Sequence, residues 1–207
     1  IRGGSATVHF PIWHQEIEDI IVLKNNKGTE DNRVRKLDYS IQLSKLFYAR
    51  FIEDRDISLF SPHDVPGLYD AFGTDDFDEL YEEYEQSDVP RKTVKAQELI
   101  LNLLKERAET GRIYIMNIDH CNSHSSFTDK IEMSNLCQEI TLPTKPVQHI
   151  DDENGEIALC ILSAINIGKI RDVQDLETLC DLSVRSLDEL IDFQRYPVKA
   201  AEIATRA

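Results

Sequence analysis

Four segments of the chain repeat apolar residues at three- and four-residue steps, the spacing that places side chains on one face of a helix. This spacing predicts helices around 13–21, 39–47, 93–108 and 173–194. Gly111 follows the third segment, at a position where a left-handed residue commonly ends a helix. The apolar stripe of the fourth segment consists of Leu176, Cys180, Val184, Leu187 and Ile191. The chain is therefore expected to contain four amphipathic helices.

Short apolar runs between these helices predict β-strands at 6–10, 57–60, 113–118, 139–142 and 156–163. The last run is apolar on both alternating faces, which is typical of a strand buried in a parallel sheet or a barrel wall. Strands that alternate with helices favour an α/β architecture. The sequence contains no internal repeat and no clear linker, so a single α/β piece is expected.

The charge of the chain argues against a nucleic-acid partner. It carries 23 basic and 38 acidic residues, and its formal net charge of −15 repels phosphate backbones. Part of the excess lies at 75–88, which we interpret as a solvated loop and helix face rather than an acidic docking patch. No apolar run approaches the roughly 18 residues that a membrane span needs, so no membrane association is expected.

The four cysteines, at 121, 137, 160 and 180, form no CxxC pair. With no recognisable signal peptide, this usage predicts reduced thiols and a cytoplasmic protein. Cys180 falls on the apolar stripe of the fourth helix and is predicted to be a core residue. Cys121 lies beside His120 and His124, a spacing that can hold zinc, but no second cluster offers further ligands. We therefore interpret the segment around Cys121 as a polar turn, with a zinc site as the alternative.

The stretch SNLCQE, residues 134–139, places Asn135, Cys137 and Glu139 at alternate positions. In an extended backbone these three side chains share one face. A buried strand would not carry an amide and a carboxyl there without partners, so the stretch predicts a reactive thiol at Cys137. No basic residue lies close to Cys137 in sequence, which favours a neutral thiol over a thiolate nucleophile. Cys160, in contrast, is predicted from its apolar strand to be a packed residue.

Several longer stretches resemble the large, catalytic subunit of the aerobic class I ribonucleoside-diphosphate reductases, in that family's order and over nearly the whole chain. They include RGGSATVHFPIWHQEIEDIIVLKNN, SLFSPHDVPGLYDAFG, ERAETGRIYIMNIDHCN, MSNLCQEITLPT and NGEIALCILSAINIG. The resemblance implies an α/β fold that is part of a ten-stranded α/β barrel with a cysteine-bearing finger loop at its centre. It places the second half of a specificity loop and the following strand at 1–10, the finger loop at 134–139, and a strand with a redox cysteine at 156–163.

The resemblance also implies the reaction, which is the reduction of ribonucleoside diphosphates to 2′-deoxyribonucleoside diphosphates, and roles for individual residues. Cys137 would carry a thiyl radical, Glu139 would act as the general base, and Asn135 would hydrogen-bond the substrate hydroxyls. Cys160 would be one cysteine of a redox-active pair. Substrate or effector binding would involve Arg2, Gly3, Gly4 and Ser134.

The same resemblance implies that this chain binds no metal or cofactor of its own. The radical would come from a diiron-tyrosyl centre in a separate small subunit, and thioredoxin or glutaredoxin would supply the reducing electrons. Large subunits would pair as a homodimer, with ATP and deoxynucleoside triphosphates as allosteric effectors. Neither nucleic acid nor a membrane is an implied partner.

The family's chain is several times longer, so we expect 1–207 to be an internal fragment without reductase activity of its own. A cobalamin-dependent class II reductase would share Asn135, Cys137 and Glu139, and a glycyl-radical enzyme would share the barrel in outline. An inactive scaffold that binds zinc or uses the thiols is a further alternative.

Overall fold

A computed structural model describes residues 4–206 of the chain. Its contacts divide the chain into two compact units, one ending at Thr141 and the other beginning at Leu142. No linker composition marks this boundary, and the sequence did not predict it. Each unit has its own set of elements.

The first unit is built on a parallel sheet in the strand order β1-β2-β5. These strands are β1 (Thr7–Pro11), β2 (Asp38–Leu43) and β5 (Ile113–Asn117). A separate antiparallel pair joins β3 (Asp56–Leu59) to β4 (Lys92–Lys95). The strands predicted at 6–10, 57–60 and 113–118 are thereby confirmed, as is the α/β architecture, whereas β2 and β4 were not predicted.

Helices connect the strands of the first unit. They are α1 (Ile17–Ile20), α2 (Lys45–Ile52), α3 (Leu68–Ala71), α4 (Phe77–Gln86), α5 (Ala96–Thr110) and α6 (Ile118–Ser123), with a 3-10 turn at Glu30–Asn32. α5 matches its prediction closely and ends at Gly111, whose φ of 65° is left-handed. The helix predicted at 13–21 is shortened to α1, because turns replace the helix on either side.

The helix predicted at 39–47 is wrong in its first half. Tyr39 and Leu43 belong to β2, and α2 starts only after that strand. Within β2 the apolar residues alternate with Ser40 and Gln42, which is the period of a strand. The strand and the helix that follows it bury their apolar residues in one core. The spacing of these residues across the junction therefore matches the spacing expected for a single helix.

The two faces of the parallel sheet differ in chemistry. The apolar face is buried in the main core and includes Tyr39, Ile41, Leu43 and Ile113. The other face, called the polar face below, carries Thr7, His9, Ser40 and Gln42. Ser40 and Gln42 are nonetheless buried. Because buried polar side chains require hydrogen-bond partners, something polar must cover this face.

Part of the acidic run at 75–88 forms a helix that contributes to the core. This helix, α4, buries Phe77 and Tyr81 in the aromatic core. Arg50 of α2 is also buried, and it donates two hydrogen bonds of 2.6 Å to the carboxylate of Glu85. A buried guanidinium needs such a partner. Part of the acidity of α4 therefore compensates a core arginine.

The second unit consists mainly of α7 (Gln174–Phe193) and α8 (Lys199–Arg206), with a 3-10 turn at Ile167–Lys169. α7 confirms the helix predicted at 173–194. None of its described residues is buried, and Cys180 is exposed, so the prediction of Cys180 as a core residue is wrong for this chain. The described part of this unit contains no sheet against which the stripe of α7 could pack.

The strands predicted at 139–142 and 156–163 are wrong for the described chain. The first range is irregular, and in the second Glu156 alone forms an isolated bridge, with Lys145. A strand that is apolar on both faces needs neighbouring elements on both sides to bury it. The described second unit does not cover both faces of this segment, and Leu159 and Ile161 instead line a cavity beside α7 and α8.

α7 is the longest of these helices, with 20 residues. Acidic residues interrupt it throughout, among them Asp175, Asp181 and Asp188. Across residues 4–206, no helix is both long enough and apolar enough to cross a membrane.

Candidate active site

The segment that contains the predicted finger loop lies along the polar face of the parallel sheet. At its start, Gln42 Nε2 donates a 2.6 Å hydrogen bond to the backbone oxygen of Glu132. Next along the segment, His9 Nε2 lies 3.2 Å from the backbone oxygen of Ser134 and 3.4 Å from its nitrogen. These contacts supply partners for the buried side chains of the polar face.

The tip of the loop is fixed by two further contacts. Thr7 Oγ1 donates a 2.7 Å hydrogen bond to the backbone oxygen of Leu136, the residue before Cys137. Ser40 Oγ donates a 3.0 Å hydrogen bond to the side-chain oxygen of Gln138, the residue after it. The loop thus runs from the end of β2 towards the beginning of β1, opposite to the strand direction, and presents its tip there.

The backbone of the tip is a turn and not the extended strand on which the alternation argument rested. The Gln138 N–H donates to the backbone oxygen of Asn135 at 3.1 Å, and Gln138 has a left-handed φ of 64°. Asn135 Oδ1 accepts a 3.0 Å hydrogen bond from the Ile140 N–H, and Ser134 Oγ, which lies 3.2 Å from Asn135 Oδ1, donates to the backbone oxygen of Ile140 at 2.5 Å. Asn135, Cys137 and Glu139 therefore lie in one tight loop, whose backbone is a turn and not a strand pleat.

Cys137 and Glu139 are both exposed in the described chain. Leu136 is exposed as well, whereas Asn135 and Gln138 are partly buried. The described residues do not shield the Cys137 thiol from solvent. The loop therefore offers its thiol and carboxyl outward, away from the sheet that anchors it.

Cys160 belongs to the second unit, and its thiol is also exposed and free. The prediction that it packs in a buried strand is wrong, because the segment 156–163 forms no sheet in the described chain. Its predicted redox role is untouched by this correction, since an exposed thiol is accessible to a partner cysteine.

Three of the four residues predicted to bind substrate or effector lie at the beginning of the chain, and the fourth, Ser134, lies in the loop beside His9. Arg2 and Gly3 are outside the described residues. Gly4 is described and exposed, and a side chain at this position would meet nothing within 4 Å. From there the chain enters β1, where the backbone oxygen of Ala6 accepts a 2.9 Å hydrogen bond from the Asp38 N–H.

Sequence reasoning missed the four residues of the polar face that anchor the loop. Their signal was present, because in TVHFP and DYSIQL polar residues alternate with apolar ones. Such alternation predicts a strand with one polar face. Assigning 39–47 to a helix concealed it in β2.

The possible zinc ligands do not form a metal site in the described chain. Cys121 lies on α6, not in a turn, and packs against the edge of the core, where burial raises the pKa of its thiol. His124 Nδ1 lies 3.0 Å from the backbone oxygen of His120, a contact within one helical turn. Across residues 4–206, no group of three or more potential metal ligands is assembled.

His9 gives the anchored loop a pH-sensitive contact. Burial lowers the pKa of His9 below its ordinary value of 6.5, although its hydrogen bond to Ser134 acts in the opposite direction. Its Nδ1 is buried and has no hydrogen-bond partner among the described residues. A neutral imidazole is therefore the form that suits this position.

We expect NMR titration of the 207-residue chain to give the His9 ring a midpoint below 6.5. The His9→Gln variant removes this resonance and so assigns it. Because the folded-state pKa is depressed, the corresponding contribution to stability is present above pH 6.5 and is lost as the pH falls towards the folded-state pKa. A midpoint at or above 6.5 would contradict the burial of His9 under the loop.

Comparison with known proteins agrees with this geometry. The family model described as ribonucleotide reductase, barrel domain, matches residues 1–207. The ribonucleoside-diphosphate reductase subunit alpha of Haemophilus influenzae is 60% identical over 213 residues, which cover 100% of this chain and 28% of that protein. The ribonucleoside-diphosphate reductase 1 subunit alpha of Escherichia coli is 56% identical over 71% of this chain and 20% of its own length. The ribonucleoside-diphosphate reductase large subunit of Danio rerio is 34% identical over 97% of this chain and 25% of its own length.

The chain thus spans 28% of the length of the Haemophilus influenzae relative. The parallel sheet, with a helical core on one face and the anchored loop on the other, is part of the barrel that the family model describes. The chain belongs to the ribonucleotide reductase family and forms part of its α/β barrel domain.

Proposed function

We propose that residues 1–207 are part of the catalytic large subunit of a class I aerobic ribonucleoside-diphosphate reductase, which makes deoxyribonucleotides for DNA synthesis. The observation that carries this proposal is the loop at 134–139, which is anchored on the polar face of a parallel sheet and directs Cys137 outward at its tip. Family membership along the whole chain supports it.

In the proposed reaction, Cys137 acts first as a thiyl radical. It takes the hydrogen atom from C3′ of the ribose, which leaves an S–H bond on the cysteine and a radical on the sugar. Glu139 accepts the proton of the 3′-hydroxyl as a general base. Cys160 and a second cysteine then supply two electrons and two protons and become a disulfide; one proton leaves with the 2′-hydroxyl as water and the other ends on C2′. Glu139 returns its proton to the 3′ oxygen, and Cys137 returns the hydrogen atom to C3′, which regenerates the thiyl radical.

Asn135 is suited to hold the sugar hydroxyls. Its Oδ1 already accepts a hydrogen bond from the Ile140 N–H within the loop. The amide orientation is thereby fixed, which leaves Nδ2 as the group that would donate to a sugar hydroxyl. Since Cys137 and Glu139 are exposed in this chain, the remaining barrel of the complete subunit must exclude water from the proposed site.

The proposed partners follow from the same assignment. The chain binds no metal itself, and the radical arrives from a small subunit that carries a diiron-tyrosyl centre. Large subunits pair as a homodimer, and thioredoxin or glutaredoxin reduces the disulfide. ATP and deoxynucleoside triphosphates act through Arg2, Gly3 and Gly4, which precede the strand whose Thr7 contacts the loop tip. Free cysteines at all four positions support a cytoplasmic location.

The proposal can be tested by exchanging segments between relatives. Residues 1–207 would replace the matching segment of the Haemophilus influenzae subunit, which is 60% identical and should accept them. We expect the chimera to reduce cytidine diphosphate only when the cognate small subunit is added. A folded chimera that binds nucleotide without turnover would contradict the proposal, and turnover that requires adenosylcobalamin would favour a class II reductase.

A further inference from the structure

Gln138 holds an unfavourable backbone conformation at the point where the loop turns. Its φ of 64° lies in the left-handed region, which residues with a Cβ adopt at a cost. The turn is closed by the hydrogen bond from the Gln138 N–H to the backbone oxygen of Asn135. A non-glycine residue persists in this conformation when surrounding contacts hold it there.

The contact that holds it is the hydrogen bond from Ser40. Ser40 lies in the middle of β2 and is fully buried, so its side chain cannot swing out to another partner. Its Oγ donates to the Gln138 side-chain oxygen at 3.0 Å, across 98 residues of sequence. Losing this bond would leave a buried hydroxyl without its partner, which makes the contact costly to break.

This contact differs in kind from the others that anchor the loop. Gln42 and Thr7 donate to backbone oxygens, and His9 Nε2 likewise contacts the backbone of Ser134. Backbone groups are present whatever the loop sequence is. The contact between Ser40 and Gln138 joins two side chains, so it depends on the identity of both residues.

Gln138 also separates the two groups that matter for the proposed chemistry. Cys137 precedes it and Glu139 follows it, and both of their side chains are exposed. Their directions therefore depend on the backbone between them, which is the backbone of Gln138. We propose that Ser40 and Gln138 are positioning residues, which fix the angle between the Cys137 thiol and the Glu139 carboxyl, an inference that rests on the proposed function of this loop.

Amide hydrogen exchange in the 207-residue chain tests the anchor without any need for turnover. The Ile140 N–H donates to Asn135 Oδ1 and so reports the closed loop. We expect Gln138→Leu and Ser40→Ala each to lower the protection of this amide by about fivefold or more, while amides of β5 keep theirs. Because the two residues form one contact, the double variant should lower it no further than the single variants do.

Two more variants distinguish loss of the Ser40 hydrogen bond from a general effect of replacing a glutamine by leucine. Gln138→Glu retains an acceptor oxygen for Ser40 and should restore most of the protection that Gln138→Leu loses. Gln15→Leu makes the same substitution at an exposed position of the first unit and should leave Ile140 unchanged. Unaltered exchange of the Ile140 amide in both Gln138→Leu and Ser40→Ala would overturn the inference. Gln138→Leu changes a loop residue and leaves the core intact, so this variant should fold even if Ser40→Ala does not.

The catalytic consequence is measured in the chimeric large subunit. Gln138→Leu should lower kcat by about tenfold to a hundredfold with little change in KM, because misplaced reacting groups slow chemistry more than binding. Gln138→Glu should recover much of this loss. An active chimera whose kcat is indifferent to Gln138→Leu would overturn the positioning role and leave the proposed function standing. An inactive chimera would count against the proposed function, while the exchange of Ile140 would still decide the anchor.

Discussion

Replacing Cys137 by serine in the chimeric large subunit should abolish deoxynucleotide formation, with a loss of more than about 10⁴-fold in kcat. A serine hydroxyl is of similar size, but its hydrogen is bound too strongly for an oxygen radical to form in its place. The turn at the loop tip is held by Thr7 and Ser40 through contacts that do not involve the thiol, so its geometry should persist. Calorimetric titration should therefore give a nucleoside diphosphate affinity close to that of the unchanged chimera.

The matched control for this substitution is Cys180→Ser. Cys180 lies on α7 in the second unit and is exposed, outside the loop that carries the proposed site. We expect it to retain turnover with the small subunit. Measurable deoxynucleotide formation by the Cys137→Ser subunit would contradict the thiyl role, whereas loss of nucleotide binding would show that the thiol is needed for the structure.

Local sequence patterns were sufficient to predict those elements whose ends are determined by neighbouring residues in the sequence. α5 and α7 were predicted nearly to their ends, and Gly111 marked the end of α5 because a left-handed residue is needed there. The strands β1 and β5 were equally clear. β1 alternates polar and apolar residues, β5 is a short apolar run, and the two helices keep helical spacing, so no competing pattern obscured these elements.

The junction between β2 and α2 shows why other elements were missed. Tyr39 and Leu43 are four residues apart, and so are Leu43 and Phe47, which satisfies the helical pattern. The same residues also satisfy alternation with Ser40 and Gln42. Apolar spacing alone cannot decide between two periods where a strand passes directly into a helix.

The loop residues could be named from the sequence, but their anchors could not. Thr7 and Leu136 are separated by 129 positions, and Ser40 and Gln138 by 98. Predicting these contacts requires the strand register and the knowledge that the loop lies on the polar face. Those are tertiary facts, and the sequence supplied only the polar alternation that needed a partner.

The prediction of a strand at 156–163 was wrong for a different reason. The two-sided apolar pattern of this segment is that of a strand covered on both faces, and the described second unit contains no such cover. A pattern of this kind predicts an environment as well as a conformation. Cys160 is exposed here because that environment is not supplied by residues 142–206.

Replacing Cys160 by serine in the chimeric subunit should separate the start of the proposed reaction from its completion. Without this thiol the redox-active pair cannot form a disulfide, so the two electrons needed for reduction are not delivered. Deoxynucleotide formation should fall by more than about 10³-fold, since the residues of such a pair act as a unit. Radical chemistry at Cys137 does not need those electrons and should still begin.

A substrate labelled with deuterium at C3′ distinguishes the two cysteines. In Cys160→Ser, we expect Cys137 to take the label, exchange it with solvent and return a solvent-derived hydrogen to C3′, so mass spectrometry should find label loss in recovered ribonucleotide. Cys137→Ser should show neither label loss nor product, and Cys180→Ser should show both reactions. Normal turnover by Cys160→Ser would remove this residue from the redox pair. Full retention of the label by Cys160→Ser would instead mean that hydrogen abstraction at C3′ itself requires Cys160. The two thiols would then not act in the proposed order, in which Cys137 takes the hydrogen before Cys160 supplies electrons.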